Sequence, residues 1–394
     1  DPSDEGFESN NYILDLLSVD TQWNYTVGAK WDRFVDNGRW TYALSRNMLN
    51  NRSFKHEDND ETLPLIRDYL SQEIENKFRI ERKIFTEEGW KINLGLNYEY
   101  AKYNNRSEFQ QFSFATGTVD ELNFDSAFDM HKVGVFAQAS KRYLNERLAL
   151  SLGIRMDANE YAESMQNPLE QFSPRLSASY SITPHLSASA SAGIYYQLPA
   201  YTTLGFVENG RLANRDNELT YIRNKQISAG FQYDFPERNT IITLEGFYKL
   251  YDNYPFSVDK QISLANLGAD FGIIGNELVT STSQGVTHGL EFLWQQKLYK
   301  GWFGIFAYTY VRSQFEDGQG DLRPSSWDSQ HIVSFTAGKK FKKGCPTPQE
   351  LEKLIPNSDI GSIGDGEFKV TNLTVGIYKS VHNNMEQIKD KFSS

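Results

Sequence analysis

Residues 172–201, FSPRLSASYSITPHLSASASAGIYYQLPAY, alternate in polarity almost without a break. In the first run Leu176, Ala178, Tyr180 and Ile182 fall on one side, and Arg175, Ser177, Ser179 and Ser181 on the other. Successive side chains on a strand point to opposite faces, so this is a strand with one apolar and one polar face. Thr183, Pro184 and His185 turn the chain. The second run sets Leu186, Ala188, Ala190, Ala192, Ile194 and Tyr196 against Ser187, Ser189, Ser191, Gly193 and Tyr195. A face of serine and glycine gives a sandwich core too little volume. It suits a wall whose inner face meets water or polar filling and whose outer face meets lipid. A soluble two-layer sheet wetted on one side is the competing reading.

The same alternation recurs along the chain. Trp23, Tyr25, Val27, Ala29 and Trp31 oppose Asn24, Thr26, Gly28, Lys30 and Asp32, and Asp36-Asn37-Gly38 follows as a tight turn. Asn-Gly tolerates the positive φ that hairpin turns use. Over 71–85 the charges recur every second residue, which predicts a strand and not a helix. Ile92, Leu94, Leu96, Tyr98 and Tyr100 oppose Lys91, Asn93, Gly95, Asn97 and Glu99. Further strands fall at about 39–50, 131–143, 147–161, 226–235, 240–251, 286–294, 302–313 and 331–341, about 13 in all. Short turns follow every odd-numbered strand and long loops every even-numbered one, at about 51–70, 104–128, 162–171, 198–222, 252–282 and 314–328.

That order predicts an all-β, antiparallel, up-and-down barrel with two unlike ends, as membrane-spanning barrels have. Sandwiches use Greek-key crossovers and lack the asymmetry. A mean hydropathy of −0.56 fits, because alternation halves the hydropathy of every strand. No apolar run approaches the ~18 residues of a spanning helix. A net charge of −11 argues against nucleic acid as a partner. Aromatics gather at strand ends, as at Trp23, Trp31, Trp90, Tyr195, Tyr196, Trp302 and Tyr308 to Tyr310, which suits interfacial girdles.

In order, LSLGIRMDANEY, FSPRLSASYSIT, LSASASAGIYYQLPAY, NKQISAGFQYDF, GVTHGLEFLWQQKL and RPSSWDSQHIVSFTAGKKF resemble the C-terminal barrel of TonB-dependent outer-membrane receptors of the Bacteroidetes type. The likeness covers roughly residues 15–343. It implies a bacterial outer-membrane location and import of a scarce ligand such as a siderophore or metal chelate, a cobalamin or an oligosaccharide. It also implies three partners besides outer-membrane lipid and that ligand: a plug domain of the same receptor, an energy-transducing TonB complex, and an N-terminal part through which that complex acts. Plugged barrels have about 22 strands, so the expectation here is part of a larger barrel, without its plug. A plugless passive porin and a surface adhesion or docking protein are the alternatives.

No enzymatic motif, cofactor site or metal-ligand spacing is evident, and the six histidines are scattered. The aromatic loop residues Tyr201, Phe206, Tyr221, Tyr251, Tyr254 and Phe256 are the ligand-binding candidates, with anchoring at the membrane interface as the plainer role. The organisation expected is a barrel portion over 1–343 and an atypical tail over 344–394. A fourteenth strand at about 367–380 would make the strand count even.

Overall fold

The computed structural model describes residues 18–57, 60–112, 119–267 and 275–340. Thirteen wall strands follow one another: β1 (Val19–Val35), β2 (Gly38–His56), β3 (Leu65–Phe85), β4 (Lys91–Phe112), β5 (Val119–Tyr143), β6 (Leu148–Asn159), β7 (Ser173–Ser181), β8 (Leu186–Gln197), β9 (Ile222–Phe235), β10 (Thr240–Ser257), β11 (Val279–Tyr299), β12 (Trp302–Glu316) and β13 (Gln330–Lys339). Four further strands of two or three residues lie in the connections. Each wall strand pairs antiparallel with the next in sequence, so the sheet is a pure meander. Among the described residues β1 and β13 are each paired on one side only.

The register joins like faces. Ser151, Ser177, Ser191 and Ser228 stand in one cross-strand row, and Leu152, Leu176, Ala192, Ile227 and Tyr248 in the next. The serine row is knit together, with Ser191 and Ser228 hydroxyls 3.0 Å apart and Gln138 donating to Ser151 at 2.8 Å. The apolar row is exposed: Leu152, Leu176 and Ile227 keep more than half their surface. A continuous exposed apolar face on a sheet needs a non-aqueous partner.

Short turns end β1, β3, β5, β7, β9 and β11, as the sequence predicts. The connections after β2 and β4 differ from expectation. Residues 51–56 and 65–70 extend the β2–β3 ladder, and 104–112 and 119–128 extend the β4–β5 ladder, so β3, β4 and β5 reach 21, 22 and 25 residues. Their polar, aromatic composition reads as loop, yet main-chain pairing between strands needs no apolar side chains, and the buried residues here include the polar Asp68, Asn105, Ser107 and Ser126. Likewise β10 continues to Ser257, through register shifts between Tyr251 and Phe256. The β1–β2 turn also departs from expectation. Neither Asp36 nor Asn37 takes a positive φ; Gly38 does, at 145°. A Cβ there would stand 2.0 Å from the Lys83 carbonyl oxygen, so β3 could not approach any other residue so closely. The predicted fourteenth strand and the 344–394 tail lie outside the described residues.

Candidate functional site

The chain's one sizeable hydrophobic cluster among the described residues lies at the long-loop end and not in the wall. Tyr103, Met130, Tyr161, Met165, Leu204 and Leu219 are at most 3% exposed, and Ala101, Tyr201, Tyr221, Leu264 and Val279 close the cluster. Tyr103 and Met130 come from the polar face of β4 and β5, so the loops fold inward onto the wall rather than outward into solvent. The aromatic rings meet edge to face or tilted: Tyr103 and Tyr201 at 6.1 Å, Phe128 and Tyr161 at 5.7 Å.

One buried amide ties the loops together. Asn214, on the helical turn Ala213–Asp216, is fully buried. Its Nδ2 donates to the carbonyls of Thr203 at 2.7 Å and Glu277 at 2.9 Å, and its Oδ1 accepts from the Val279 N–H at 2.8 Å. The side chain therefore satisfies three main-chain groups, two in the loops and one at Val279, the first residue of β11. Asn159 adds a bond to the Tyr221 hydroxyl at 2.8 Å, and the Tyr161 hydroxyl donates to the Leu204 carbonyl at 2.6 Å. Burial pushes the Tyr221 phenol up to about 12, and it pushes Tyr161 up as well.

Beneath this loop core the wall is ionic. Glu75 on β3 is bound by Lys77 at 2.5 Å and by Asn47 of β2 at 3.0 Å. Lys132 of β5 contacts Glu99 of β4 and lies 3.5 Å from Glu75. The Tyr201 hydroxyl enters this group from the loop core, donating to Glu75 Oε1 at 2.7 Å and accepting from Lys132 Nζ at 2.7 Å. Burial and then the Glu75 carboxylate push the phenol well above its ordinary value, so it stays a neutral donor. Further along the polar face Arg175 lies 4.4 Å over the Tyr195 ring. Tyr195 thus faces inward and is no girdle residue: the alternation of β8 places it with Gly193 and Ser191. A recess of about 710 Å³ is lined by Lys91, Ser151, Ser177, Ser191, Ser228 and Glu245.

The six aromatic candidates separate. Tyr201 and Tyr221 belong to the loop core, and Tyr254 packs against it. Phe206 is buried edge to face on Phe124 at 5.5 Å. Tyr251 and Tyr254 both contact Phe315, at 5.3 and 4.8 Å, and are half-buried, as is Phe256. Sequence reasoning missed Glu75, Lys132 and Asn214. Alternation does assign Glu75 and Glu99 to one face; nothing in the run RLANRDNEL distinguishes Asn214 from any solvated loop asparagine.

An exposed apolar face, a polar inner face, and turns of two unlike kinds at the two ends make a membrane barrel wall. Residues 1–337 match the sequence family described as TonB dependent receptor-like, beta-barrel. The chain belongs to that family. This TonB-dependent receptor barrel is an outer-membrane structure. Solved structures share its fold. The copper transporter OprC is 14% identical with a TM-score of 0.58, over 81% of this chain and 50% of that one. The ferric-catecholate import receptor Fiu of E. coli K12 is 11% identical with a TM-score of 0.57, over 83% and 52%. The pyoverdine outer membrane receptor FpvA of Pseudomonas aeruginosa PAO1 is 16% identical with a TM-score of 0.56, over 82% and 49%. The chain therefore spans about half the length of these structures. No curated protein sequence matches it.

Proposed function

We propose that this barrel segment belongs to a receptor that imports a scarce ligand across the outer membrane, of the siderophore or metal-chelate class, with cobalamin and oligosaccharide as the other ligand classes. A plug domain of the same receptor fills the polar face, and the TonB complex supplies energy from the inner membrane. The chain has no catalytic part in this reading. The observation that carries it is the folded loop core set over a charged, polar wall: a passive pore needs an open mouth, whereas a receptor needs a shaped one. Of the aromatic candidates, Tyr251, Tyr254 and Phe256 are only half-buried, the first two beside Phe315, and we assign ligand stacking to them. The fold neighbours named as a copper transporter, a ferric-catecholate import receptor and a pyoverdine receptor favour metal chelates over the other classes.

The test is uptake of labelled ferric catecholate, ferric hydroxamate, cobalamin and maltooligosaccharide by cells producing the complete receptor, with and without an uncoupler. Saturable, uncoupler-sensitive uptake of one class supports the reading. Unsaturable uptake indifferent to the uncoupler makes the barrel a passive channel. Binding of cells or proteins without uptake of any probe makes it a docking protein.

A further inference from the structure

The Tyr201 hydroxyl joins two structures that are each complete without it. On the wall side, Glu75 already has Lys77 and Asn47, and Lys132 already has Glu99. On the loop side, the helical turn Tyr201–Leu204 is held by main-chain bonds from Thr203, Leu204 and Gly205 at 2.8–3.0 Å. The Tyr201 ring packs in the aromatic cluster whether or not it carries oxygen. The hydroxyl nevertheless bridges an anion and a cation, the geometry in which a phenol's donor and acceptor are both used at once. Through it the β8–β9 connection, residues 198–221, grips the ionic wall of β3–β5.

We propose that Tyr201 is a latch that holds residues 198–221 as a fixed lid over the β3–β5 side of the polar lumen. Ligand then enters past the remaining rim. The lid is fastened by Asn214 to the segment around Glu277 and Val279, by Asn159 and Tyr161 to the β6 end, and by Tyr201 to the ionic wall. Releasing the Tyr201 fastening loosens the lid on its β3–β5 side without unpicking the others. The inference rests on this geometry alone and holds for any ligand class.

Hydrogen exchange on the full chain in detergent micelles tests it, using Tyr201→Phe, Tyr201→Ala and Glu75→Gln. Tyr201→Phe keeps the ring and removes the bridge. Exchange of the Thr203, Leu204 and Gly205 amides is expected to speed up roughly tenfold or more, the loss of a charge-assisted bond, while the β4–β5 ladder amides are unchanged. Glu75→Gln keeps an acceptor oxygen for the phenol and is expected to fall between Tyr201→Phe and the parent. The latch is overturned if Tyr201→Phe exchanges like the parent while only Tyr201→Ala exchanges fast, because the ring alone then holds the lid. It is equally overturned if Tyr201→Phe loosens the wall strands together with the loop, since Tyr201 is then part of the wall's own structure.

Discussion

Replacing Asn214 with alanine removes three hydrogen bonds of 2.7, 2.9 and 2.8 Å from a side chain with no solvent access. The carbonyls of Thr203 and Glu277 and the N–H of Val279 lose the partner that this side chain gives them. A buried main-chain group left unpaired costs about 1–3 kcal/mol. Water entering the space of the deleted amide recovers part of this, so the low end applies to each group and the sum is about 3 kcal/mol. That loss falls on the loop core and on Val279, the first residue of β11, and leaves alone the β6–β7 ladder, which shares none of these bonds. Hydrogen exchange resolves the two. The Val279 amide is expected to exchange about a hundredfold faster, with amides of the β6–β7 ladder unaffected. Asn214→Asp keeps the acceptor for Val279 but turns a charged oxygen toward two carbonyls, so it is expected to be at least as damaging. If both variants exchange at Val279 within about threefold of the parent, where the three bonds predict two orders of magnitude, the keystone role of Asn214 is wrong.

Alkaline pH bears on the same core. A phenol raised to about 12 in the folded chain, as Tyr221 is, favours the folded state fully below the ordinary value near 10. That contribution is lost as pH rises from about 10 to 12 and amounts to roughly 3 kcal/mol; the tyrosinate absorbance that Tyr221→Phe removes should appear only near pH 12, together with loss of loop protection. Leu152→Arg puts a charge on the exposed apolar face and is expected to cost about 2–4 kcal/mol in lipid vesicles, whereas Ser151→Arg, one residue along on the polar face, should cost far less; chemical denaturation of the two variants compares them. Gly38→Ala forces a Cβ against the Lys83 carbonyl at a positive φ and is expected to lower stability by about 1–3 kcal/mol, read as slower refolding and a lower denaturation midpoint.

The wall was legible because alternation is a local signal. A two-residue period in LSASASAGIYY states which side chains share a face, and the short turns state which strands are neighbours. The upper ladders were not legible. Along 104–108 and 123–128 the buried face carries polar residues such as Asn105, Ser107 and Ser126, so burial there imposes no apolar period on the sequence. The candidate site was half legible. Its aromatic residues stand out by composition, but whether Tyr201 stacks on a ligand or on Tyr103 depends on how 198–221 folds, which is set by Asn214 and by main-chain bonds without a sequence period. Alternation puts Glu75 and Glu99 on the polar face, yet the meeting of Glu75 with Lys132 is a matter of register between β3, β4 and β5.

The meander has a kinetic side. Each wall strand pairs with its sequence neighbours, so no strand waits for a partner made much later in the chain. The turns that close alternate hairpins are short, the connections between those hairpins are longer, and closure cost rises only slowly with length. The sheet can therefore grow one hairpin at a time, each new strand docking on an edge already formed. Growth of this kind leaves two open edges, a fixed one at β1 and a moving one at the newest strand, each with its row of unpaired N–H and C=O groups, until a last strand meets the first. During assembly that moving edge is where the chain is most open to pairing with the wrong strand, and a partner that shields it would govern how fast the wall is completed.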